Sequence, residues 1–208
     1  EVIQKYNLIN TIVNTFNNQV ESSAVKSFVG QDLFQSGRVG AKLLDAIAPD
    51  SQYVIIHIDE HYKNAVHMQE KERGFRNYFE EKDSILPTIT TLKLKTPNAE
   101  VKFGTFLNEN PDLAGIFVTT SKVYSIAKII SNQHRKKIHL IGYDLIDENV
   151  TYLQQGVVDF IIYQNQKRQA YLGVKSLIEY FLFQKEIPEK MLWPIAIVNT
   201  ENATDYLD

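Results

Sequence analysis

Between Ile138 and Gln164 the chain reads IHLIGYDLIDENVTYLQQGVVDFIIYQ, and no other stretch restricts the possible fold so tightly. An apolar run over residues 138–143 stops at a single carboxylate, Asp144. Residues 147–155 are amphipathic, with Val150 and Leu153 three apart, and Gly156 ends that run. A second apolar run over residues 157–163 stops at a single amide, Gln164. Short apolar runs bounded by turn residues read as buried strands, and a helix between two of them makes a βαβ unit with parallel strands. Parallel strands present their carboxyl ends on one side of a sheet, where ligands of open α/β folds collect. Asp144 and Gln164 are therefore expected at a rim that suits a small polar molecule.

The rest of the chain repeats the alternation. Residues 2–6 read as the end of a helix and 9–13 as a strand, followed by a polar loop over 14–23 that carries Phe16. Residues 25–30 are extended, and Ser36 is expected to cap a helix over 38–47 whose stripe is Val39, Leu43, Leu44 and Ile47. Strands are expected over 53–58, 86–94 and 113–118. After a loop over 59–64 a helix is expected to about Phe79, where Met68, Phe75 and Phe79 share a face, and further helices are expected over 98–108, 122–131 and 168–183. Residues 184–189 read as a loop and 193–198 as a last extended piece. Strand and helix alternating in this way define an α/β protein with helices on both faces of parallel sheets.

Several chemistries find no foothold. There is no glycine-rich phosphate loop of either common pattern, and Gly30, Gly37 and Gly40 are too spread to form one. No cysteine is present and no G-x-S-x-G elbow, so nucleophilic catalysis has no recognisable site. His57, Asp59, Glu60 and His61 are the one cluster of metal-ligand types; they are expected to be solvated polar residues at a strand end. The run His134–Lys137 reads as a solvated basic loop, and the sequons at Asn149 and Asn202 carry no weight. A net charge of −3 gives no basic face for nucleic acid. No apolar run approaches the ~20 residues of a membrane span, so no membrane partner is expected. The chain opens at Glu1, without an initiator methionine or signal peptide, and the natural N-terminus is expected to lie elsewhere. What remains is the pair Asp144 and Gln164. An acceptor-only carboxylate and a donor–acceptor amide suit a ligand rich in hydroxyls, such as a sugar.

These same residues carry a resemblance. Ile141-Gly142-Tyr143-Asp144, Leu153 to Gly156 and Gln164 to Gly173 resemble the effector-binding domain of LacI-type transcriptional repressors and the periplasmic sugar-binding proteins. So do Gln31-Asp32 through Leu43-Leu44, Arg73-Gly74-Phe75 and Gly115-Ile116-Phe117-Val118, in order along the chain. The resemblance implies a periplasmic-binding-protein-like type I fold: two Rossmann-like lobes joined by three crossing segments, with ligand clamped between them. The crossings are expected near residues 28–30, 162–164 and 194–196. Residues 29–163 and 194–208 would form the C-terminal lobe, and residues 1–28 and 165–193 an incomplete N-terminal lobe. The family's first βα units and any DNA-binding head would lie outside this chain.

Carried over residue by residue, the resemblance makes Asp144 and Gln164 ligand-binding. It puts Lys71 where the family usually has an arginine, Thr119-Thr120 where an asparagine or aspartate commonly stands, and Asn14 in place of an aspartate. Of these, Thr120 and Asn14 are taken as binding residues alongside Lys71, and Phe16, Tyr62 and Tyr124 are candidate rings for a sugar face, Phe16 first among them. The function implied is a non-catalytic, cytoplasmic sensing domain. A saccharide effector, bound without cofactor or metal, would drive lobe closure in a homodimer and reach operator DNA only through a separate head. The alternative is a periplasmic sugar-binding protein or a sensor ectodomain. An enzyme would need a titratable pair in the cleft, and the sequence offers only Asp144 as a recognisable member of one.

Overall fold

A computed structural model describes residues 11–17, 25–59, 65–82, 86–132 and 138–207. The helix expected over 2–6, Glu60, His61, Tyr62 and the run 134–137 lie outside the described residues. The chain divides into two compact units: residues 1–32 with 164–194, and residues 33–163 with 195–208.

The larger unit is a six-stranded sheet. Its strands are β3 (Gln52–Ile58), β4 (Ile89–Leu94), β5 (Leu113–Val118), β6 (His139–Tyr143), β7 (Phe160–Tyr163) and β9 (Ala196–Val198). They are ordered β4-β3-β5-β6-β7-β9, all parallel except β9, which runs against β7. Between them come α1 (Leu33–Ile47), α2 (Val66–Glu80), α3 (Ala99–Glu109), α4 (Val123–Ser131) and α5 (Asp147–Gln154). The fold is thus the expected α/β class, with parallel-dominated sheets flanked by helices.

Because side chains alternate along a strand, the sheet feeds two cores. Tyr53 and Ile55 of β3, Phe117 of β5 and Ile141 and Tyr143 of β6 pack with Ala41 and Leu44 of α1 and Phe75 and Phe79 of α2. Val54, Ile56, Ile58, Ile116, Val118 and Leu140 face the opposite way, onto Phe103, Leu107, Ile126 and Leu153 of α3, α4 and α5. Covering both faces explains why these strands read as continuous apolar runs rather than alternating ones. The first core is aromatic: Phe75 stacks on Phe117 with centroids 5.0 Å apart, and Tyr53 on Phe79 at 5.3 Å.

The smaller unit is a three-stranded parallel sheet of β1 (Val13–Phe16), β2 (Val25–Gly30) and β8 (Lys190–Leu192), ordered β1-β2-β8, with α6 (Gln166–Phe183). Here three readings need correction. Of the strand expected over 9–13, residues 9 and 10 lie outside the described residues; the strand observed is Val13–Phe16, so Asn14 and Phe16 belong to a strand rather than a polar loop. Its polar residue is tolerated because Asn14 Nδ2 donates to Ser176 Oγ (2.9 Å) and to the Gly173 carbonyl (3.3 Å) on α6. β8 was missed altogether; three residues with a charged end give no periodic signal. The helix α6, amphipathic in sequence, leaves Tyr171, Val174, Ile178, Phe181 and Leu182 exposed and buries Gln169 and Gly173.

In the larger unit α1 starts at Leu33, so Ser36 is not its cap. Ser36 sits one turn inside, its hydroxyl donating to the Leu33 carbonyl at 2.9 Å.

Candidate functional site

In the larger sheet β4 lies on one side of β3 and β5, β6 and β7 follow on the other, so the winding reverses between β3 and β5. Such a switch point leaves a crevice outside the carboxyl ends of the strands. Side-chain alternation puts His57, Thr119 and Tyr143 on the α1/α2 face at just that end, one step beyond the aromatic core. There the lining changes from apolar to polar.

His57 is 2% exposed. Its Nδ1 lies 2.7 Å from Thr119 Oγ1 and its Nε2 2.8 Å from Glu72 Oε2. Glu72 accepts at its other oxygen from Arg76 Nε (3.0 Å) and from the Thr91 hydroxyl (2.5 Å). Beside it on α2, Lys71 Nζ donates to the Thr119 carbonyl (3.0 Å) and stands 3.5 Å above the Tyr143 ring centroid. That ring is itself fixed. Tyr143 and Ser36 hydroxyls are 2.9 Å apart, and since Ser36 gives its proton to Leu33, Tyr143 is the donor. Burial pushes the Tyr143 hydroxyl far up in pKa, and the neighbouring Asp144 carboxylate adds to the rise; the phenol stays protonated. His57 is therefore a buried, doubly bonded side chain and not the solvated strand end expected.

The two loops at the rim are tied by Asn149, which is buried on α5. Its amide hydrogens are shared among the carbonyls of Ser121 (2.8 Å), Tyr143 (3.0 Å) and Asp144 (2.9 Å), and its Oδ1 accepts from Tyr124 N (3.0 Å). Asp144 stands there in the left-handed region, φ 69°. It does not cap α5, whose N-cap is Ile146. An aspartate tolerates that backbone better than most residues.

A third tie joins the loops after β3, β4 and β5. Asp59 accepts from Lys122 Nζ (2.5 Å), Thr96 N (2.5 Å) and the Thr96 hydroxyl. The Lys122 hydrogen bond, with those from Thr96, lowers the Asp59 pKa to about 2. A folded-state pKa below the unfolded value of ~3.9 stabilises the protein above that pH and is lost as pH falls toward 2. Asp59→Asn is expected to lower Tm by about 1–3 °C at pH 6, because a pair this open to solvent on its lysine side is worth ~1 kcal/mol or less. The difference from wild type should shrink between pH 4 and pH 2 in a thermal melt.

Three of the sequence-predicted binding residues meet at this rim through their neighbours. Lys71 touches Thr119, which precedes Thr120, and Tyr143, which precedes Asp144. Lys71, Thr120 and Asp144 are all buried. Thr120 Oγ1 accepts from Lys122 N at 3.4 Å. The other three belong to the smaller unit. Gln164 is buried, with its carbonyl held by Gln169 Nε2 at 2.7 Å. Asn14 is occupied by α6 as described, and Phe16 is 51% exposed. Of the other candidate rings, Tyr124 is half-buried. His57, Glu72 and Asn149 were missed as a set. His57 and Glu72 are joined by a pairing across 15 residues, and Asn149 separately ties Ser121 and Tyr124 to Tyr143 and Asp144; the sole local clue was that Glu72 follows Lys71. Among the described residues no group of three or more His, Asp or Glu could hold a metal, and no helix is long and apolar enough to cross a membrane.

A family model described as "Periplasmic binding protein domain" matches residues 1–185. No curated protein matches the chain. Among solved structures, a candidate LacI transcriptional regulator from Bacteroides fragilis is 27% identical, with a TM-score of 0.85 over 99% of this chain and 71% of that one. GanP, a glucose-galactose binding protein from Geobacillus stearothermophilus, is 22% identical, TM-score 0.79, covering 97% of this chain and 71% of that one. An ABC transporter solute binding protein from Burkholderia graminis, in complex with D-arabinose, is 19% identical, TM-score 0.83, covering 100% and 73%. The last two likenesses bear on the fold alone.

Proposed function

Because this chain belongs to the family of the periplasmic binding protein domain, we propose that it is the saccharide-sensing domain of a LacI-type transcriptional regulator. The observation that carries the proposal is the polar rim at the switch point. Lys71 reaches Thr119 and Tyr143 there, Thr120 and Asp144 are the next residues along the chain, and the groups around them are held by hydrogen bonds. A cation, hydroxyls and a carboxylate fit a polyhydroxylated ligand, which offers both donors and acceptors. The relatives that bind D-arabinose, glucose and galactose support a saccharide; the 27% identical regulator supports the sensing role. No catalysis is invoked. The ligand would act by binding one conformation of the protein better than another, and can shift the balance only by that difference in affinity. In the parent this would be passed to operator DNA through a homodimer in the cytoplasm.

A second reading keeps the site and changes the partner: a solute-binding protein that delivers the sugar to a transporter, which the solute-binding relatives support. Sedimentation separates the two. A parent that is dimeric and binds DNA in a sugar-dependent way supports the regulator, and a monomer that never binds DNA overturns it.

The site itself is tested by thermal shift and calorimetry with D-arabinose, D-ribose, D-glucose, D-galactose, D-tagatose and sugar acids. Asp144→Asn is the variant of choice, because asparagine keeps the left-handed backbone while removing the charge. Hydrogen bonds to charged groups are worth ~1.5–3 kcal/mol, so affinity should fall about 10- to 150-fold with Tm nearly unchanged. No response to any sugar, or equal affinity in the variant, would sink the proposal.

A further inference from the structure

We propose that His57 and Glu72 are positioning residues for this site: touching no ligand, they set where Lys71 and the Thr119–Thr120 corner present their polar groups. The inference rests on the reading that the carboxyl rim of the larger sheet binds ligand. What carries it is a closed ring of contacts. Thr119 Oγ1 meets His57 Nδ1 (2.7 Å), His57 Nε2 meets Glu72 (2.8 Å), Glu72 is bonded through the α2 backbone to Lys71, and Lys71 Nζ returns to the Thr119 carbonyl (3.0 Å). Thr119 N donates to the Ile56 carbonyl at 3.1 Å, and its hydroxyl lies 3.3 Å from the same oxygen. Backbone N–H, carbonyl and hydroxyl of Thr119 are thus all engaged by β3 or α2. The corner that leads into Thr120 starts from a fixed point.

Stability alone does not account for such a ring. Burying His57, Glu72 and Lys71 incurs desolvation that apolar residues of similar volume avoid, and replacing buried ionic groups by such residues is often neutral or stabilising. One step back along the same face, Tyr53, Phe75, Phe79 and Phe117 fill the space with rings. Polar groups replace them only where the strands reach the rim. Arg76 and Thr91 hold Glu72 from the far side, so α2 and β4 also fix the carboxylate that faces His57. Groups that orient binding residues commonly matter ten- to a hundredfold to affinity without contacting the ligand, as around metal sites.

The test uses amide NMR of the ligand-free protein together with calorimetry against the sugars named above. Glu72→Leu should move the Thr119, Thr120, Ser121 and Lys122 amide resonances and speed exchange of the Thr119 amide about tenfold. Glu72→Gln, which keeps hydrogen-bonding atoms in place, should restore the wild-type spectrum. Where a sugar binds wild type, Glu72→Leu should weaken it about tenfold or more and Glu72→Gln much less. Should Glu72→Leu fail to fold, His57→Gln, which reaches Glu72 but not Thr119, makes the same comparison. Unmoved Thr119–Lys122 resonances in a folded Leu or His57→Gln variant overturn the positioning role. No sugar binding by wild type overturns the functional reading instead, whatever the amides do.

Discussion

Alanine at Gly37 or at Gly74 is expected to cost about 3 kcal/mol each, whereas alanine at Gly104 should gain about 0.5–1 kcal/mol. All three glycines lie inside helices, where intrinsic propensity favours alanine. What separates them is the neighbour. A Cβ at Gly37 would stand 2.0 Å from the Lys71 carbonyl oxygen, and one at Gly74 1.9 Å from that of Phe34. The two contacts are reciprocal: α1 and α2 cross with each glycine against the other helix's backbone. Backbone cannot rotate away as a side chain can, so the helices must separate and the Phe75–Phe117 stack opens with them. Nothing lies within 4 Å of a Cβ at Gly104. In thermal melts the first two variants should lose about 6–12 °C and the third gain about 1–4 °C for a chain of this size. Since Lys71 sits on the crossing, Gly37→Ala should also weaken sugar binding. Equal shifts in all three variants would show that propensity, not close approach, governs these positions.

The limits of reading the sequence follow the same division between local and distant. The βαβ unit from Ile138 to Gln164 was legible because each of its signals is local: two apolar runs, Val150 and Leu153 on one face, and Gly156, which takes φ 70°. The class of the fold followed from its repetition. Ser36 misled because a serine before an apolar stripe resembles a cap, and only the distant Tyr143 hydroxyl explains it inside α1. His57 misled for a like reason. At a strand end followed by Asp59, Glu60 and His61 it looks solvated, and Thr119 and Glu72, which bury it, are 62 and 15 residues away. Lys71 is singled out through resemblance, not pattern. Its reason for being lysine, an unbranched stem ending on a tyrosine face and a carbonyl, lies in the packing.

Asn149 shows most sharply what spacing could not reveal, and Asn149→Ala is expected to destabilise by about 3–4 kcal/mol. In sequence it is one exposed-looking polar residue in a short helix, within a chance sequon. In the structure it is fully buried and joins the corner after β5, at Ser121 and Tyr124, to the corner after β6, at Tyr143 and Asp144. Alanine would leave a part-buried N–H on Tyr124 and three carbonyls without their shared donor, a buried loss of this kind costing ~1–3 kcal/mol before relaxation or water entry. It would also release the left-handed Asp144, so sugar binding should fall along with Tm, unlike Asp144→Asn, which spares stability. Asn149→Asp is the sharper probe. It keeps the acceptor for Tyr124 but sets a carboxylate against three carbonyl oxygens, so the acid form is favoured and its pKa must rise in the folded state. A raised folded-state pKa means stability is recovered as pH falls. The variant should melt well below wild type at pH 8 and approach it near pH 5. If its deficit is the same at both, Asn149 does not hold the two corners through its amide hydrogens.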